Sequence, residues 1–106
     1  MKLTNQEKSK LKEWKKSFTS EGGRIFSFPE NGNTIAIIPA TKRNARFVYF
    51  SIAQCAETDI FNRKRGELIA LQNMRCGRFL PLSTTGYGMK TTLSYRAETI
   101  SNFFGF

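Results

Sequence analysis

The stretch Arg24-Ile25-Phe26-Ser27-Phe28-Pro29-Glu30-Asn31-Gly32-Asn33-Thr34-Ile35-Ala36-Ile37-Ile38-Pro39 decides how this chain folds. Arg24 to Phe28 reads as a strand, stopped by Pro29 and the turn Glu30-Asn31-Gly32-Asn33. Asn31-Gly32 is a strong hairpin signal, because both residues tolerate positive φ. Thr34 to Ile38 forms the return strand and ends near Pro39. An antiparallel hairpin is therefore expected at the centre of the fold.

Upstream lies a helix with a readable start. Thr4 stands where an N-cap belongs, and Glu7 follows at capping-box spacing. Leu3, Leu11, Trp14 and Phe18 share one arc of the helical wheel. Lys8, Lys12, Lys15 and Lys16 share a neighbouring arc, so one side packs and another carries positive charge. Gly22-Gly23 closes the segment.

Downstream, Thr41 to Asn44 makes a basic turn into Ala45 to Ala53. In that run Phe47 and Tyr49 point to one face, and Val48, Phe50 and Ile52 to the other. A strand apolar on both faces belongs inside a sheet or under cover on both sides. A second helix is expected from a cap at Thr58 or Asp59 to about Cys76, closed by Gly77. Ile60, Phe61, Leu68 and Leu71 would form its apolar side. Gly66 sits inside it, at a cost of about 1 kcal/mol against Ala. Arg78 to Leu82 reads as an edge strand, given Pro81. Ser83 to Gly88 is a loop, and Leu93, Ala97, Ile100 and Phe104 mark a helix from about Thr91 to Phe104. The expected class is α+β: a three- to four-stranded antiparallel sheet flanked by three helices, in the order α-β-β-β-α-β-α.

With 106 residues, the chain has room for one domain. Seventeen Lys and Arg against eight Asp and Glu give a net charge of +9. That excess favours an anionic partner, be it nucleic acid, an acidic protein surface or anionic lipid. A solvated basic face that aids solubility is the plainer alternative. The polar, lysine-rich start does not read as a secretory signal, so Cys55 and Cys76 are expected as reduced thiols in the cytoplasm. No run approaches about eighteen apolar residues, so no transmembrane span and no membrane partner are expected.

The sequence contains no histidine, which removes the commonest general base and metal ligand. The two cysteines lack zinc-site spacing. Glu57, Asp59 and Glu67 cluster among the acids, but no Glu-x-Lys segment of a metal-dependent nuclease follows them. They read as acids beside a basic turn. In Gly86-Tyr87-Gly88-Met89-Lys90-Thr91, Met89 stands where a nucleotide-hydrolysing loop needs the glycine before its lysine. No enzyme, cofactor or metal is expected.

What remains is anion chemistry. Asn62-Arg63-Lys64-Arg65-Gly66 puts three cations in the first turns of the second helix, where the helix dipole is also positive. An anion there would relieve the repulsion; salt bridges to Glu57, Asp59 and Glu67 are the structural alternative. Lys42, Arg43 and Arg46 form a second cluster, and Lys8, Lys12, Lys15 and Lys16 a third. Whether the three merge is a tertiary question. Aromatic residues interleave with the cations, among them Trp14, Phe26, Phe28, Phe61 and Tyr87, a mixture that single-stranded nucleic acid exploits by base stacking. Most of these positions look like core; Tyr87, in a glycine loop, is expected to be exposed. At the end of the chain, Phe103 and Phe106 are expected on the protein's own core, with a second subunit or a host protein as the alternative.

The order helix, three strands, helix over residues 4 to 76 resembles double-stranded RNA-binding domains. There a basic run at the start of the second helix grips phosphates across a groove, and Arg63, Lys64 and Arg65 stand at the comparable place. The Lys-Lys-x-Ala-Lys run and the alanine-rich second helix of that family are missing, and the last helix is additional. The stretch Cys55 to Ala70, with Asp59, Phe61, Arg63-Lys64, Gly66 and Ile69-Ala70, resembles a segment of small phage-encoded accessory proteins. That likeness implies takeover of a host or the countering of its defences.

Together these readings make the chain a binding protein. The leading expectation is sequence-independent contact with nucleic-acid phosphates by Arg63, Lys64 and Arg65, extended by Lys42, Arg43, Arg46 and the lysines of the first helix. The alternative is an inhibitor that docks on a host protein or defence complex with the same cations, anchored by Tyr87 and Phe106.

Overall fold

The capping box at the front of the chain forms as its residues imply. A computed structural model describes residues 3–39, 47–55, 60–83 and 93–105. Helix α1 (Asn5–Ser20) starts where Thr4 Oγ1 accepts the Glu7 N–H at 3.2 Å and Glu7 Oε1 accepts the Thr4 N–H at 3.0 Å. Two of the orphan donors of the first turn are thereby satisfied. Gly22, at φ 94, takes the left-handed turn that ends the helix.

Strands β1 (Arg24–Phe28), β2 (Asn33–Pro39), β3 (Phe47–Gln54) and β4 (Leu80–Ser83) form one antiparallel sheet in the order β1-β2-β3-β4. The register pairs Phe26 with Ile35, Ile35 with Ile52, and Phe50 with Leu80. The expected β1–β2 hairpin forms, but its turn is not built on two residues of positive φ. Pro29–Asn31 make a 3₁₀ turn, and only Gly32 adopts positive φ, at 71°. Pro29 presets the first residue of that turn, and the Asn31 side chain is used elsewhere, as described below.

Side chains alternate across the sheet and serve two cores. On one face Ala36 and Ala53 pack with Leu11 and Phe18 of α1 and with Leu68, Ala70 and Leu71 of helix α2 (Arg63–Arg75). On the other, Ile35, Ile37, Val48 and Phe50 pack with Ala97 and Ile100 of helix α3 (Leu93–Phe104). Ile35 and Ile37 have no exposed surface; burial of this kind stabilises by roughly 1.5–3 kcal/mol per side chain. The protein is an α+β fold with three helices, two on one face of the sheet and one on the other.

Helix α2 starts later than expected. Its cap is Asn62, whose Oδ1 accepts the Arg65 N–H at 3.1 Å, and Thr58 and Asp59 lie outside the described residues. Ile60 and Phe61 therefore precede the helix: Ile60 is almost wholly exposed and Phe61 half-buried. Strand β4 is set two residues later than Arg78, with Pro81 at the sheet edge where its missing N–H is tolerated.

Gly66 has a packing reason. A Cβ there would run into the Thr34 side chain, so the missing side chain lets α2 lie close on β2. Ser51 Oγ, donating to Ala70 O at 2.6 Å, and Asn73 Nδ2, donating to Ile52 O at 3.1 Å, then tie α2 to β3. At the far end, Ser101 Oγ donates to Asn33 Oδ1 at 2.6 Å, and Asn31 Nδ2 donates to Ser101 Oγ at 2.9 Å. These bonds seat α3 on the β1–β2 connection.

Candidate nucleic-acid interface

The later start of α2 changes the geometry of its cations. Arg63, Lys64 and Arg65 are the first three helical residues, all exposed, and no acid stands in that turn. Each cation at the positive end of a helix dipole is disfavoured by about 0.3–1 kcal/mol. Asn62 satisfies the Arg65 N–H, and the Gly66 N–H bonds to Asn62 O at 2.9 Å. The turn is thus an exposed, strongly positive one built on a well-formed cap.

Helix α1 brings its own charge to the same end of the molecule. The carboxyl of Glu7 is held below its ordinary range, chiefly by the Thr4 N–H, with Arg65 and Lys10 adding smaller electrostatic pulls. The first turns of α1 and α2 are therefore neighbours, and Glu7 partly offsets Arg65. Lys8, Lys12 and Lys16 are exposed along α1. Lys12, Lys15, Lys16, Thr19 and Ser20 line a shallow depression of about 480 Å³.

Lys15 has a structural tie that its neighbours on that arc do not show. Its Nζ lies 2.9 Å from Glu67 Oε2, with the Lys15 side chain 46% exposed and that of Glu67 only 6%. Glu67 thus pairs with α1 rather than with the cations of its own helix. Arg75 at the other end of α2 sits over the Trp14 ring, 4.8 Å from its centroid, a cation–π contact that also fastens α1 to α2. Arg96 is buried in α3, with no hydrogen-bond partner for Nε among the described residues. The cluster of Lys42, Arg43 and Arg46, the acids Glu57 and Asp59, and the anchor candidates Tyr87 and Phe106 lie outside the described residues.

Two features escaped the sequence reading. The first is a cleft of about 500 Å³ along β1, the outer strand of the sheet among the described residues, between the starts of α2 and α3, walled by Phe26, Phe28, Phe61 and Arg63. Interleaved aromatic and basic residues were its only sequence signal. The second is an apolar strip. Leu80 stands opposite Phe50, the Phe50 and Phe104 ring centroids are 6.4 Å apart, and those of Phe104 and Phe103 are 5.0 Å apart. Phe103 is 81% and Leu80 56% exposed. Phe103 therefore does not dock on the protein's own core: it lies at the flank of the side that carries Ala97 and Ile100, and its ring meets Phe104 while most of its surface stays exposed.

Among the described residues, no three His, Cys, Asp or Glu side chains gather where a metal ion could sit, and no helix is long and apolar enough to cross a membrane. Cys55 and Cys76 are not joined in a disulfide. Comparison with protein-family models, with curated proteins and with solved structures finds no match to this chain.

Proposed function

We propose that this chain binds nucleic acid through its phosphates, largely independent of sequence, and acts without catalysis. The observation that carries this reading is the run Arg63, Lys64 and Arg65 as the exposed first turn of α2, with no acid in that turn. A phosphate placed there relieves the repulsion among the three cations and meets the positive helix end. Lys8, Lys12 and Lys16 of α1 extend the footprint, and the net charge of +9 supplies long-range attraction. The likeness of the α1-to-α2 order to double-stranded RNA-binding domains supports the same reading, and the likeness of residues 55–70 to phage accessory proteins bears on the setting. It suggests a phage-encoded protein at work in a host cytoplasm.

Titration into labelled single- and double-stranded DNA and RNA at several salt concentrations tests it. On duplex DNA the logarithm of affinity should fall with the logarithm of salt by about 0.9 per phosphate contacted. Arg63→Ala and Arg65→Ala should each lower that slope by about one and weaken all sequences alike. Unchanged affinity and slope in both variants would remove the site.

The apolar strip favours a second reading, an inhibitor that docks on a host protein. Phe103, at 81% exposure, is the kind of side chain an interface buries. A complex that survives nuclease treatment and is lost with Phe103→Ser would support this reading. Its dissolution by nuclease would return the argument to nucleic acid.

A further inference from the structure

The cleft beside β1 has a composition that the phosphate reading leaves unexplained. As the outer strand among the described residues, β1 leaves alternate backbone N–H and C=O groups outside the ladder, and Ile25 to Pro29 border a space of about 500 Å³. That volume lies within the range of small-ligand sites. Phe26, Phe28 and Phe61 border it, together with the hydroxyl-bearing Ser27 and Ser94; Phe26 and Phe28 also pack against the core under α3, which leaves Phe61 as the ring outside that core. Among the described residues that line it there is no carboxylate, and the cation is Arg63, which is also the first residue of α2.

We propose that this cleft receives the base of an unpaired nucleotide whose phosphate rests on the first turn of α2. The inference builds on the phosphate-binding reading and specifies its ligand as single-stranded nucleic acid. Arg63 joins the two halves of the site, being wall to the cleft and first residue of the basic turn. Aromatic faces hold any base by stacking, so the site is tolerant of sequence. The outward backbone groups of β1 and the two serine hydroxyls meet the polar edge of the base. In a duplex that edge is occupied by pairing and the faces by neighbouring bases, so an unpaired nucleotide is the one that fits. Phe61 is half-buried in the segment leading into α2, where its ring stands at the cleft wall beside Arg63.

The experiment compares an oligothymidylate of about twelve residues with an abasic strand carrying the same phosphates, first as DNA and then with ribose backbones. The base-bearing strand should bind more tightly in at least one backbone. Phe61→Leu keeps an apolar side chain but removes the π face. It should weaken binding of the base-bearing strand by about 5- to 150-fold and leave the abasic strand unchanged. Phe61→Trp should restore affinity, and Arg63→Ala should weaken both strands. Circular dichroism of each variant checks that the fold is intact. Equal affinity for base-bearing and abasic strands, with Phe61→Leu silent on both, overturns the cleft while the phosphate reading stands. Failure of every strand to bind overturns the phosphate reading, and this inference with it.

Discussion

Glu67 Oε2 lies 2.9 Å from Lys15 Nζ, so a nearly buried carboxylate on α2 is answered by a half-exposed ammonium on α1. Lys15 therefore serves the packing of the two helices as well as the charge of the surface. Lys15→Ala should destabilise the protein by about 1–3 kcal/mol, because it strands a buried charge. Lys12→Ala and Lys16→Ala should stay within about 0.5 kcal/mol. Thermal unfolding of the three variants makes the comparison, and equal shifts would show that the ion pair contributes nothing of its own.

Gly66 should resist the substitution that helix propensity recommends. Alanine gains about 1 kcal/mol in a helix interior, but its Cβ meets Thr34 on β2, and overpacking costs about 1–3 kcal/mol. Gly66→Ala should therefore be neutral to destabilising. Thr34→Ala removes both the obstacle and a buried hydroxyl that lacks a partner among the described residues. The double variant should be more stable than Gly66→Ala alone, a coupling that denaturant titration can measure.

The seat of α3 depends on Ser101. Ser101→Ala leaves Asn33 Oδ1 buried without that donor, a loss of about 1–3 kcal/mol. The effect should be local. Hydrogen exchange should quicken first in α3, while amides of α2 and β3 keep their protection. Uniform loss of protection would mean that α3 opens only with the whole domain.

Glu7 ties the start of α1 to pH. Hydrogen bonding to Thr4 lowers its carboxyl below the ordinary value of 4.5, so the folded state favours the ionised form. The contribution is complete above that ordinary value and is lost as pH falls through the lower folded one. Glu7→Gln should flatten this part of the stability curve on the acid side and leave its shape near neutrality unchanged. An unaltered acid limb would show that the capping carboxylate does not contribute to it.

The order and kind of the elements were legible because their signals are local. Thr4 and Glu7 identify α1 within four residues, and the apolar runs bounded by Pro29, Asn31-Gly32 and Pro39 identify the first two strands. The second helix was read too early because Ile60 and Phe61 fit an apolar wheel, whereas Asn62 holds the real cap. Asn31-Gly32 was read as a hairpin turn because that pair tolerates positive φ. In the fold only Gly32 uses that freedom, and Asn31 bonds to Ser101.

By itself, the sequence determined the α+β class, the amphipathic first helix, the excess of positive charge and the basic run at residues 63–65. Each follows from composition or from residues a few positions apart. The tertiary structure decided which of these charges do what. It drew Lys15 to Glu67, set the starts of α1 and α2 side by side, and closed Gly66 onto Thr34. It also placed Phe61 and Arg63 beside β1, the outer strand of the described sheet, and turned Phe103 outward. Those relationships join residues distant along the chain, and no local propensity encodes them. They arise only when burying two faces of one sheet dictates where each helix must lie.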